Sequence, residues 1–508
     1  MDRANAACLL ALDAGTSGGK AMVFDSGGRL LAEAAQAWGY RTPPEAAPWG
    51  REFDPLAFWR IMCDVAREAL ARSQAADRVV AIGSTAQRQA TILVDGQGEE
   101  LYAGPNIDLR ACFEGARLLC EEGERLHAIT GHLPPMMFAA CRWLWFRQHR
   151  PDICRRTRHL FMMGDWLTWR LCGRSQSAFV TAPSNAAETG LFDVAVCRWS
   201  HELLEETCLP MDVLPPVRAA GSQAGELSQE AAEALGLRPG LPVAVSAADT
   251  GCGLLGMDLT QPGQAGLVAG WSAPVQLVTS RPVFDPERAL WTTCSALPGQ
   301  WLLEGNPGPA GAAYRWMRDI IMPGSPYEAL DELAASAPAG SRGVLALLGP
   351  RIADYDNPQL LWGGMLLPEA NDLLPIGRAE VVRAALENIA YAVRANLERV
   401  EAVGKRQAAE LGLGGGLSRS RLFPQIVADV LGRPVRLVAQ ACVSTLGAAI
   451  CAACAAGLYS GLSEAAAAMV RPGELLLPER AAQAEYLDTY ERWLQVYSSL
   501  RQISATLT

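Results

Sequence analysis

The sequence predicts an α/β chain of two domains with a cleft between them, on three observations. Its 508 residues exceed the length at which one hydrophobic core keeps growing. Its first forty residues alternate short apolar runs with small-residue turns, the mark of strands joined tightly. A comparable strand–turn–strand layout recurs near Leu241, which reads as an internal duplication whose boundary lies in the stretch Arg238-Pro239-Gly240. We expect domains over residues 1–240 and 241–508.

In chain order, Cys8 to Asp13 reads as a strand, Ala14 to Lys20 as a small-residue turn, Ala21 to Asp25 as a strand, and Ser26-Gly27-Gly28 as a turn into a third strand. A helix follows: Asp54-Pro55 supplies a cap and a first-turn proline, and Phe58, Ile61, Met62, Val65 and Leu70 recur at helical spacing. Val79 to Gly83 and Ala90 to Val94 read as strands, the second ending in the turn Asp95 to Gly98. The second copy is expected as strand Pro242 to Ser246, turn Ala247 to Gly251, and strand Ala265 to Ala269 before Gly270-Trp271-Ser272. Glu387 to Glu401 is strongly helical, and a Gly-rich turn, Gly412 to Ser418, precedes a helix carrying Leu422, Ile426, Val427 and Val430. Ser444 to Ala449 enters an Ala-rich helix.

Composition narrows the class of partner. A net charge of −10 argues against broad attraction to nucleic acid or to an anionic membrane, which leaves small ligands. Lysine occurs only at positions 20 and 405, the remaining basic side chains being arginine. The apolar stretch Ala6 to Leu12 is short and runs straight into Asp13, so no export signal is read and a cytoplasmic protein is expected, with its 14 cysteines reduced. Cys451 and Cys454 sit in an apolar, Ala-rich segment and read as packing, and the five histidines have no metal-ligand spacing. No run approaches the roughly 20 apolar residues that a membrane span needs.

Three Gly/Ser/Thr turns after predicted strands offer backbone N–H groups suited to phosphate oxygens. The first is not a Walker loop, because Lys20 is followed by Ala21 and the required first glycine is missing; nor is it the dinucleotide pattern Gly-x-Gly-x-x-Gly. Asp13, at the end of the first strand and followed by Gly15-Thr16-Ser17, suits a hydrated divalent ion beside a phosphate chain. Asp249 can accept a hydroxyl proton as that oxygen attacks phosphorus. From the residues alone, a second account stands beside this one: both aspartates cap local turns.

The ordered motifs Leu12-Asp13-Ala-Gly-Thr-Ser17, Asn106-Ile-Asp108-Leu-Arg110, Pro183-Ser184-Asn185 with Thr189 to Asp193, Ala248-Asp249, the Ala384 to Glu398 helix, Gly414-Gly415-Gly416 and Ser444 to Ala449 resemble those of the FGGY carbohydrate kinases over essentially the whole chain. The resemblance implies two actin-like, ribonuclease H-like domains around a catalytic cleft, with ATP and Mg2+ as cofactors and a small sugar or polyol as substrate. It further implies that Asp13 positions Mg2+, that Gly15, Thr16, Ser17 and Lys20 meet the phosphate chain, and that Asp249 is the general base and touches substrate. Gly270, Gly311, Gly415, Gly416 and Ser420 would border the nucleotide, and Gln87, Arg88 and Asp108 would bind substrate hydroxyls. A homodimer is compatible with this picture.

Departures bear on substrate. Trp271 stands where the family usually has threonine, removing a hydroxyl contact to nucleotide, and it either packs on the ligand or narrows the site unless Ser272 compensates. The Met-His-Gly of xylulose kinases is replaced by Gln87-Arg88-Gln89, and the glycerol kinases match only the Gln-Arg pair. Asn106 to Arg110, Pro183 to Asn185 and Asp165-Trp166-Leu167 are most similar to the autoinducer-2 kinases. A five-carbon ketose or hydroxyketone is therefore the expected substrate, with a glycerol kinase-like polyol kinase or a non-catalytic sugar- and nucleotide-binding sensor as alternatives. An actin- or heat-shock-like ATPase is disfavoured, since that class lacks the motifs around positions 87 and 108.

Overall fold

The computed structural model describes residues 7–355, 362–368 and 376–507; Ala6, the first residue of the short apolar stretch, lies outside them. Two mixed sheets dominate. The first contains β1 (Cys8–Ala14), β2 (Gly18–Asp25), β3 (Leu30–Ala37) and β4 (Val79–Ala86). A small sheet of β5 (Thr91–Asp95), β6 (Glu100–Gly104) and β7 (Thr157–Met162) and a short hairpin, β8 (Phe192–Asp193) with β9 (Arg198–Trp199), follow. The chain then returns through β10 (Gln223–Glu226) and β11 (Pro242–Ala244) to complete the first sheet in the order β10-β11-β4-β1-β2-β3.

The second large sheet is built from β12 (Ala265–Val268), β13 (Val275–Thr279), β14 (Trp291–Cys294) and β15 (Trp301–Gly305). After a two-stranded excursion, β16 (Leu345–Leu347) and β17 (Gly364–Leu366), it is completed by β18 (Leu411–Gly414), β19 (Val435–Val438) and β20 (Pro472–Leu476). Its order is β14-β15-β13-β12-β18-β19-β20.

The repeat is real at the level of sheet connectivity. In the first sheet β1 pairs antiparallel with β2 and parallel with β4, while β2 pairs antiparallel with β3. In the second, β12 pairs antiparallel with β13 and parallel with β18, while β13 pairs antiparallel with β15. The second copy, however, opens at Ala265 and not at Pro242. The expectation for Pro242 to Ser246 is corrected here: β11 joins the first sheet, parallel to β4 through Val243 and Ile82. Local sequence shows that a strand is present but not which sheet it joins.

Strand β1 is buried on both faces, as its parallel pairing with β4 requires. Cys8, Leu10, Leu12 and Ala14 enter one core, and Leu9 and Ala11 enter another. Period-two alternation then places Asp13 on the side of Leu9 and Ala11. That side is covered by two short helices, Asp249–Leu255 and Val443–Ala455, which pack on each other. The same helices contribute Leu254 and Val443 to an apolar cluster with Val278 and Leu302 of the second sheet, so they lie between the sheets.

The long helix Pro55–Ser73 forms as its cap predicts, with Asp54 accepting from the backbone N–H of Leu56 and Ala57. The helices at Arg378–Gly404 and Phe423–Leu431 also match the periodicity. The Gly-rich segment expected as a turn from Gly412 is strand through Gly414 and turns only at Gly415. Glycine is needed in that strand because a Cβ on Gly414 would lie 2.4 Å from Val443 Cγ1. Among the described residues, no helix is long and apolar enough to cross a membrane.

Candidate active site

A cavity of about 1400 Å³ opens between the two sheets, lined at one end by Asp13, Asp249 and Arg88 and extending past Gly270, Trp271, Gly311, Gly415, Gly416 and Ser420. Asp13 and Asp249, remote in sequence, therefore share one space. Asp13 lies opposite Lys20 across the β1–β2 pair, and Thr445 of the inter-sheet helix donates to its Oδ2 at 3.5 Å. Burial raises the Asp13 carboxyl above its ordinary range, against the pull of Lys20 and Thr445.

Asp249 begins the helix Asp249–Leu255, and its turn is fixed from behind. Thr85 donates to Ala247 O at 3.1 Å, Ser184 Oγ accepts from Ala248 N at 3.1 Å, and Asn185 Nδ2 donates to Ser246 O at 3.2 Å and Asp165 Oδ1 at 2.8 Å. The Pro183-Ser184-Asn185 motif is thus the brace of the Asp249 turn. The Asp249 side chain keeps 31% of its surface exposed, toward the cavity. Burial pushes its carboxyl up to about 7; Arg88 draws it down, while Asp13 and Glu188 add to the rise. A carboxylate so poised holds or releases a proton near neutral pH.

The turn from Gly15 to Gly18 lines the cavity, closed by Gly15 N donating to Gly18 O at 3.0 Å. Thr16 is oriented by Tyr40, whose hydroxyl donates to its carbonyl at 2.6 Å, and by Asn106, whose Nδ2 donates to its Oγ1 at 3.0 Å. Farther along, Gly415 has φ +98° and a Cβ there would meet Ala269 O at 2.6 Å, so only glycine suits the turn. A Cβ on Gly311 would come within 2.3 Å of Gly270 O, so the helix Ala310–Ile321 starts against the Gly270 backbone. Ser420 lines the cavity but its Oγ also caps the helix Phe423–Leu431, accepting from Leu422 N and Phe423 N at 3.2 and 3.0 Å. Trp271 projects into the cavity with 40% of its surface exposed, next to Ser272.

Two residues expected at the substrate do not reach the cavity. Gln87 is spent on the Gly15 turn: its Nε2 donates to Tyr40 Oη at 3.2 Å and to Gly15 O at 3.4 Å, and its Oε1 accepts from Asn106 N at 3.1 Å. Asp108 is fully buried, held by Arg110 Nε at 2.7 Å, Arg51 N at 3.0 Å and the Tyr102 hydroxyl. Its acceptors are already used, so in this arrangement both side chains brace the turns beside the cavity.

Arg88 does face the cavity, where Gln89, Asn106, Trp291 and Tyr355 join it. Asn106 Oδ1 is buried with no hydrogen-bond partner, an acceptor open to a ligand hydroxyl. Trp291 and Tyr355 stack with centroids 4.7 Å apart, and the Arg88 guanidinium lies 5.4 Å from the Trp291 ring centroid. Neighbours of Arg88 that sequence reasoning missed are Glu188 and Glu304, which lie 100 and 216 positions away along the chain. No local motif marks such pairs.

The Mg2+ expectation can be tested on these groups. Among the described residues no cluster of three or more His, Cys, Asp or Glu forms a protein cage. The octahedral ion commonly needs only one or two carboxylates beside phosphate and water, and Asp13, held by one long hydroxyl contact, leaves oxygens for it. The residues present fit.

Comparison with known proteins is consistent along the whole chain. Residues 8–256 match the N-terminal domain, and residues 265–456 the C-terminal domain, of the FGGY family of carbohydrate kinases. The chain is 30% identical to an autoinducer-2 kinase of Escherichia coli strain K12 over 511 residues, covering 96% of this chain and 94% of that protein. It superposes on a xylulose kinase from Lactobacillus acidophilus with a TM-score of 0.84 at 19% identity, over 99% of this chain and 100% of the other. A xylulose kinase from Rhodospirillum rubrum gives a TM-score of 0.80 at 26% identity, over 98% and 100%. The two-sheet repeat is thus the actin-like fold of these sugar kinases.

Proposed function

The chain belongs to the FGGY family of carbohydrate kinases, and from that premise we propose that it transfers the terminal phosphoryl group of ATP to a hydroxyl of a short linear ketose or hydroxyketone. The observation that carries this reading is the shared cavity of Asp13 and Asp249, one carboxylate beside the Gly15 turn and the other beside Arg88. Magnesium-bound ATP, when present, supplies the electrophilic phosphorus. Asp13 would hold the ion through its waters, with Thr16, Ser17 and Lys20 along the phosphate chain. Gly270, Gly311, Gly415, Gly416 and Ser420 would border the nucleotide.

Asp249 accepts the proton of the substrate hydroxyl, which sharpens that oxygen as a nucleophile. Arg88, Gln89 and Asn106 supply the polar contacts that orient the substrate, and Trp291 with Tyr355 forms an apolar wall along its carbon chain. Lobe closure around both ligands excludes water and suppresses wasteful hydrolysis. A short hydroxyketone is supported by the autoinducer-2 kinase relatives. Fourteen free cysteines suit a reducing, cytoplasmic setting.

Purified protein with ATP and Mg2+ should phosphorylate at least one of xylulose, the linear autoinducer-2 precursor and glycerol, read by coupled ADP release. Silence across that panel would reject the reading. Binding of sugar and nucleotide without transfer would mark a sensor instead.

A further inference from the structure

The guanidinium of Arg88 is gripped from the opposite sheet. Arg88 follows β4 of the first sheet, whereas Glu304 lies on β15 of the second and is fully buried. Arg88 Nη2 donates to Glu304 Oε1 at 2.8 Å and Nη1 donates to Oε2 at 2.9 Å, a two-point fork. Glu304 is itself fixed, with Gln276 Nε2 donating to Oε2 at 2.6 Å. A fork held at both Nη atoms cannot rotate, so its third nitrogen has one direction. That nitrogen, Nε, lies 3.6 Å from Asp249 Oδ1, an ion pair longer than a hydrogen bond.

Glu188 is a weaker partner, accepting from Nη1 at 3.3 Å and held by Gln89. A pair whose sole task was to join the two halves would not need to bring Nε beside Asp249, and apolar residues of similar volume would join them as well.

We propose that Glu304 is a positioning residue for phosphoryl transfer, fixing Arg88 across the cavity so that its Nε holds Asp249 in the orientation that meets the substrate hydroxyl. Glu304 is fully buried and does not line the cavity; it acts through Arg88. The inference rests on the kinase reading above and adds to it a residue that no local motif marks.

Glu304→Gln keeps the shape and removes the charge and one acceptor. With the sugar that turns over best, kcat is expected to fall about 100-fold, the cost of a misplaced reacting group, while KM for ATP stays within about twofold of the parent. In the double variant with Arg88→Lys, the loss should be no larger than in Arg88→Lys alone, because the two residues act as one unit. A purely structural role would instead lower the melting temperature and give additive losses. Should Glu304→Gln fail to fold, Gln276→Met, which loosens Glu304 without altering its charge, is expected to reduce kcat about fivefold at unchanged KM for ATP.

A folded Glu304→Gln protein turning over within about threefold of the parent overturns the proposal, as does additivity in the double variant. So does an unchanged Gln276→Met protein if that variant has to stand in. A parent inert toward every sugar of the panel removes the kinase reading and this inference together, an outcome distinguishable from the failure of Glu304 alone.

Discussion

At the scale of single residues, the proposed chemistry turns on the proton of Asp249. Its folded carboxyl lies near 7 and must be ionised to act as a base, so the active fraction grows as pH rises through about 7 and is lost below it. We expect kcat/KM to climb through that range and level off above, in a profile recorded at saturating ATP. Asp249→Asn should lower kcat by about 10²–10⁴-fold with ATP affinity retained, measured by calorimetry. Full turnover in that variant would move the base elsewhere. That Asp13 and Asp249 share one cavity was foreshadowed in the sequence, because each ends an apolar run beside Gly and Thr. For Gln87 and Asp108 the sequence left the matter open, because a polar side chain beside a turn can face a ligand or brace the turn, and only the fold decides which.

At the scale of elements, Arg142 ties together the two loops that carry Gln89 and Asn106 beside the cavity. Although fully buried, it donates to Gln89 O at 2.6 Å, Pro105 O at 2.8 Å and Asp108 O at 3.1 Å. Arg142→Met would leave these carbonyls without partners and should cost about 3 kcal/mol or more, read from the urea midpoint. A midpoint shift below about 0.5 kcal/mol would mean that water replaces the guanidinium.

Asp165 braces the Asp249 turn through Thr181 and Asn185, and burial raises its carboxyl to about 7. The folded state therefore binds a proton more tightly than the unfolded chain, whose carboxyl lies near about 3.9. This contribution is complete below the unfolded value and disappears as pH rises through about 7. The parent should lose melting temperature between about pH 4 and 7 relative to Asp165→Asn and level off above, and parallel curves for the two proteins would argue against a buried acid here.

At the scale of the whole molecule, the two-sheet repeat was visible as an echo of strand, turn and strand, yet its second copy was placed one strand early. Pairing of β11 with β4 is a long-range choice, set by which sheet edge is open when the chain returns. Interdomain partners were likewise hidden, since Glu304 and Arg88 meet only once both sheets exist. One flank of the cavity is already latched across the halves: Thr292 N donates to Gly131 O at 2.9 Å and Trp301 Nε1 donates to Val194 O at 2.7 Å. Ligands that close the other flank should stabilise the folded chain by mass action. Sugar and nucleotide together are expected to raise the melting temperature more than the sum of their separate effects, and strict additivity would count against closure.

The helix Val443–Ala455 packs against β1 and β4, far upstream in the chain, where a Cβ on Gly83 would come within 2.1 Å of Ala448 O, and against the helix Asp249–Leu255, where one on Gly447 would come within 1.9 Å of Cys252 O. Contact this close cannot be replaced by water. A polypeptide severed near Gly263 should therefore yield a leading fragment that precipitates when produced alone and recovers when the trailing fragment is supplied in the same cell, making the enzyme a natural candidate for a complementation reporter.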